Sequence, residues 1–69
     1  MAIVKVIEVI GSSTESFDDA VKNAVAEVSK TIRNIDSVFV KDMKAHVSDG
    51  KITSYGAICK VAFRVNDGV

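Results

Sequence analysis

With 69 residues, 9 Lys and Arg against 9 Asp and Glu, and a formal net charge of zero, the chain shows neither the basic stripe of a nucleic-acid binder nor the basic helix face of a membrane-surface binder. One cysteine and one histidine exclude an intrachain disulfide and a four-ligand zinc site, the usual staples of a very small domain. Residues 1–69 are read as a single domain; a chain of this size buries only about 60% of its unfolded surface, so the 48% hydrophobic fraction predicts apolar surface that meets other subunits.

Residues 2–10 (AIVKVIEVI) are short and rich in Val and Ile, and predict a strand. Ile3, Ile7 and Val9 share one face with Lys5, and Val4, Val6 and Ile10 share the other with Glu8. Both faces are mostly apolar, as in strands covered on both sides. Gly11 is expected to break the strand. Ser12 and Glu15 have capping-box spacing, with Ser13 or Thr14 as alternative caps.

A helix is predicted over 15–33. Phe17, Ala20, Val21, Ala24, Val25, Val28 and Ile32 recur at helical spacing and form one apolar stripe. Asp18 and Asp19 near its start, with Lys30 and Arg33 near its end, suit the helix dipole.

Two further strands are predicted over 37–47 and 52–65, joined at Asp49-Gly50, a strong two-residue hairpin signal because both positions tolerate positive φ. If Asp49 and Gly50 form the loop, Ser48 pairs with Lys51 and the faces follow; a loop of different length would exchange them. One face carries Val38, Val40, Tyr55, Ala57, Cys59, Val61, Phe63 and Val65, and is the one for the helix to cover. The other carries Ser37, Phe39, Lys41, Met43, Ala45, Ser54, Gly56, Ile58, Lys60, Ala62 and Arg64. A single helix cannot cover both, so the second is expected to meet a subunit or a ligand. The fold class is α+β, a β-α-β-β chain with a three-stranded antiparallel sheet and one helix.

The stretch VIEVIGSSTESFDDAVKNAVAEVSKTIRNID resembles the first strand, G-[ST]-S turn and helix of the dodecin family, and the closing KVAFRV resembles that family's end. Dodecins are small flavin-binding proteins that assemble into dodecameric hollow spheres. The resemblance implies a sheet partly wrapped around its helix, and self-association into a closed homo-oligomer, a dodecamer. It also implies a flavin site. In flavin-binding members a tryptophan after the helix stacks on the isoalloxazine ring and a glutamine on the last strand contacts its edge. Those positions match Ser37 and Gly56, and the chain has no Trp at all. Serine lacks the aromatic face that stacking uses, and glycine has no side chain to bond the ring edge. The expectation is a dodecin-like shell with a binding, storage or structural role and with flavin stacking lost. The alternatives are riboflavin or FMN storage as in typical dodecins, or a calcium- or ion-binding assembly, since one dodecin-like branch is associated with calcium. No dense acidic loop of the EF-hand kind is present.

Ser37, Gly56 and Phe39 are the candidate ligand-binding residues, for a small aromatic ligand. Phe39 with Met43 on the same face is weighed against plain oligomer contact, the favoured reading. His46 near the hairpin is read as a surface residue and Cys59 as a small buried apolar one. Glu8 is expected to pair with a Lys or Arg across strands or subunits, while Asp36, Asp42 and Asp49 are too scattered to suggest a metal site. Gly11-Ser12-Ser13 before a helix is a weak phosphate signal, and a turn with a cap suffices to explain it. There is no Ser/His/Asp set and no Cys/His pair, and the absence of proline closes the N-terminal-proline chemistry of the tautomerases. The chain is not expected to be an enzyme. The lone thiol and the lack of a signal-peptide pattern or long apolar run predict a cytoplasmic protein.

Overall fold

A computed structural model describes residues 3–65. Strand β1 (Ile3–Ser13) leads to helix α1 (Phe17–Ser29), followed by the hairpin of β2 (Ile35–Ser48) and β3 (Lys51–Val65). The sheet is antiparallel with order β1-β3-β2, so the last strand is central. This is the β-α-β-β architecture expected from the sequence.

The ends of the elements differ from expectation, for local reasons. Gly11 does not break β1; it pairs with Ala57 inside the strand, which runs on to Ser13. A Cβ at Gly11 would run into the Ala20 carbonyl oxygen and lie 2.8 Å from the Ala24 Cβ. The glycine is therefore a point of close approach between strand and helix rather than a turn.

The cap is Ser16, not Ser12, Ser13 or Thr14. Its Oγ accepts from the Asp19 N–H at 3.0 Å. Ser13 lies behind it: its Oγ accepts from the Glu15 N–H at 2.8 Å and donates to Asp19 Oδ2 at 2.7 Å. Asp19 thus holds the strand end against the first helical turn. The helix closes at Ser29 with Lys30 at its C-cap and no basic residue in its last turn, so Arg33 lies beyond it. Asn34, at φ 63°, turns the chain into β2.

At the hairpin, Asp49 (φ 52°) and Gly50 (φ 75°) form the turn, and Ser48 pairs with Lys51 as predicted. The pairing then shifts at three places, and the unpaired residues are Thr53, Lys41 and Asp36. Each shift turns the following part of the strand over. Val38, Val40, Tyr55, Ala57, Cys59, Val61 and Phe63 lie on the helix side, as expected. Met43 and Ala45 do not keep their predicted face. They sit opposite Ala57 and Tyr55, and so also face the helix side.

The core is small. Ala20 and Ala24 of the helix pack on Ala57 and Cys59, with Val9, Val21 and Val38 around them. Phe17 meets Tyr55 edge-on, with ring centroids 4.8 Å apart, and closes the start of the helix onto β3. A 13-residue helix is about 20 Å long, whereas the 15 residues of β3 extend about 50 Å. The helix therefore covers less than half the sheet's length, on one side only. Among the described residues, no helix is long and apolar enough to cross a membrane.

Candidate functional site

The uncovered face is built by the regular β1–β3 pairing, with Val4, Val6, Glu8, Ile10 and Ser12 set beside Arg64, Ala62, Lys60, Ile58 and Gly56. The second edge brings Ser37 beside Ala62, Phe39 beside Lys60, Asp42 beside Ile58 and Lys44 beside Gly56. Ser37, Phe39 and Gly56 therefore share this face. They do not form one pocket within the chain: from Ala62 to Gly56 is about 20 Å of extended strand, and from Lys60 to Gly56 about 13 Å. A pocket that holds both Ser37 and Gly56 needs two copies of the chain.

The three residues differ in surroundings. Ser37 is exposed and carries no ring. Phe39 is 62% exposed, the one aromatic on this face. Gly56 is buried because the Lys44 side chain crosses it; a Cβ there would stand 3.4 Å from Lys44 Cγ and 3.5 Å from its Cε. Ser37 and Gly56 thus offer neither a surface to stack on nor a side-chain amide.

The remaining candidates take ordinary positions. Glu8 Oε2 pairs with Lys41 Nζ at 3.5 Å, across β3, which bears out the expected cross-strand pairing. Asp42 Oδ1 accepts from the Met43 N–H at 2.9 Å. Asp36 stands at a register shift and Asp49 in the hairpin turn. His46 is exposed opposite Ser54. Among the described residues no group of three His, Cys, Asp or Glu side chains comes together to hold a metal ion. Cys59 is fully buried beneath the helix, and burial pushes its thiol pKa up, which suits an inert core residue. The Gly11-Ser12-Ser13 segment is strand, so the phosphate-loop reading has no loop to rest on. Sequence reasoning missed Lys44. Its place over Gly56 depends on the register shift that leaves Thr53 unpaired, for which the sequence has no local signal.

Fold and face together define a class: a small β-α-β-β subunit whose sheet is left half uncovered by its own chain. The dodecin family model matches residues 3–66. The chain is 28% identical over 65 residues to the dodecin of Thermus thermophilus, covering 94% of each protein. The solved dodecin of Streptomyces coelicolor superposes with a TM-score of 0.92 at 31% identity, covering 97% of this chain and 96% of that one. The dodecin of Streptomyces davaonensis gives 0.91 at 29% identity, covering 96% and 97%. A calcium dodecin from Mycobacterium tuberculosis, described as a calcium-chelating antigen, gives 0.81 at 28% identity, covering 97% and 96%. The chain belongs to the dodecin family.

Proposed function

We propose that residues 1–69 form one domain that assembles with copies of itself into a closed dodecameric shell in the cytoplasm. The shell binds or stores a small ligand, or serves a structural role, without catalysing a reaction. The carrying observation is the imbalance between core and surface. Among the described residues, the buried hydrophobic core holds none larger than Val61 and Cys59, whereas Ile3, Val4, Val6, Ile10, Phe39, Val40, Met43, Val47 and Ile52 are each between 44% and 65% exposed. These residues occupy both faces of the sheet, far more than one short helix covers, and burying them against other subunits supplies the missing hydrophobic stabilisation.

In this reading flavin stacking between subunits is lost. Ser37 and Gly56 stand where the ring and the amide are needed, and neither carries the group. Native mass spectrometry with and without added riboflavin or FMN tests both parts. The expected spectrum is a dodecamer whose mass is unchanged by flavin. A dodecamer that gains flavin overturns the loss of stacking and restores flavin storage. A monomer overturns the shell.

A further inference from the structure

We propose that Met43 is a modification site: a peroxide oxidises its thioether to the sulfoxide, and a subunit so modified is kept out of the shell. This deepens the shell reading and rests on it, since the effect falls on the contact that covers Met43.

The chain carries sulfur in Met1, Met43 and Cys59, of which Met1 lies outside the described residues. Cys59 is fully buried beneath the helix, whereas Met43 is 54% exposed. A thiol must ionise before it reacts readily. A thioether loses no proton, so access to the oxidant governs its reaction. In the step the peroxide O–O bond breaks and one oxygen bonds to the Met43 Sδ. The sulfur is oxidised by two electrons, and the peroxide is reduced to water or to the matching alcohol. The subunit is open to this step before its apolar surface is covered.

Met43 stands in an apolar strip along the helix side of the edge strand β2. Val40 pairs with Cys59, Met43 with Ala57, Ala45 with Tyr55 and Val47 with Ile52. The helix leaves Val40 44%, Val47 65% and Ile52 56% exposed. The few hydrogen-bond donors beside the strip are occupied or held elsewhere. Cys59 Sγ donates to the Ala57 carbonyl at 3.7 Å, and Thr53 Oγ1 donates to the His46 carbonyl at 3.2 Å. The Tyr55 ring is set edge-on to Phe17. A thioether suits such a strip, because Met fills irregular apolar contacts. The sulfoxide adds a strong acceptor, which water satisfies on the free subunit and which an apolar neighbour strips of its partner. Met43 is no part of the core of Ala20, Ala24, Ala57 and Cys59, so the modification weighs on association and not on the fold of the subunit.

The test dissociates the protein in urea, treats it with hydrogen peroxide at about pH 4, where the thiol stays protonated, and refolds it by dilution without oxidant. Native mass spectrometry over a dilution series reads the assembly, and peptide mapping locates the added oxygen. Met43→Leu and Met43→Ile keep Met1 and Cys59 and receive the same treatment. Oxidised wild type is expected to need about tenfold or more protein for half assembly, the range of one buried polar group without a partner. Its circular dichroism is expected to match that of the untreated protein, and reduction by a methionine sulfoxide reductase with a dithiol is expected to restore assembly. The treated variants are expected to assemble as they do untreated. Wild type that assembles normally with the oxygen on Met43, or treated variants that lose assembly as wild type does, overturn this inference alone. Untreated wild type that stays monomeric at every concentration overturns the shell reading and this inference with it.

Discussion

Replacing Gly11 by alanine sets a methyl group against the Ala20 carbonyl oxygen, 2.8 Å from the Ala24 Cβ and 3.2 Å from the Ala20 carbonyl carbon. Two of these three obstacles are helix backbone, which no rotamer change can move. The helix must lift away from β1, and the lift loosens the packing of Ala20 and Ala24 on Ala57 and Cys59, the centre of the core. Overpacking of this kind costs about 1–3 kcal/mol. At about 4–8 °C per kcal/mol for a domain of this size, the melting temperature should fall by about 5–20 °C. The matched control is Gly56→Ala, whose methyl meets only the flexible Lys44 side chain at 3.4 Å or more and the Lys44 carbonyl oxygen at 3.7 Å. It should change stability by no more than about 0.5 kcal/mol. Thermal melts of both variants at one protein concentration make the comparison. Adding Ala24→Gly to Gly11→Ala should not restore the wild-type melt, because the Ala20 carbonyl remains in place. Equal melts for Gly11→Ala and Gly56→Ala would refute the close-approach argument.

Ser16→Ala removes the acceptor for the Asp19 N–H and should cost about 1 kcal/mol in urea unfolding; a loss of that size from Ser12→Ala instead would move the cap back to its sequence-predicted place. Burial raises the Cys59 thiol pKa, so the folded state resists ionisation more than the unfolded chain does. Stability from this group is fully present below the unfolded thiol pKa of about 8.5 and declines as pH rises through and beyond it. Urea midpoints from pH 7 to 10 should show that decline, and a Cys59→Ala variant should show less of it. The same burial predicts slow labelling of Cys59 by a thiol reagent in the native protein and fast labelling in denaturant. If subunit contact covers the exposed apolar residues, the melting temperature should rise with protein concentration. A concentration-independent melt from a demonstrated monomer would sink that expectation.

Local chemistry and periodicity carried the reading a long way. Alternating Val and Ile, the helical recurrence of Ala20, Val21, Ala24 and Val28, and Asp49-Gly50 are each determined within a few residues, so the order of elements, the hairpin turn and the apolar helix side of β3 were legible in the chain. The ordered likeness of its segments to a family was legible for the same reason. Positions that depend on contact between distant segments were not. Gly11 looks like a strand breaker in sequence, and only the arrival of Ala20 and Ala24 above it makes it a packing site. Met43 looks like a neighbour of Phe39, and the shift at Lys41 sends it to the other side. Ser37 and Gly56 share a face, as the turn predicts, but the sequence is silent on the distance between them until the register is known. The physical reason is the two-residue period of a strand: one unpaired residue reverses everything beyond it. Which residue is left unpaired is decided by the twist and packing of the whole sheet, not by the residue itself.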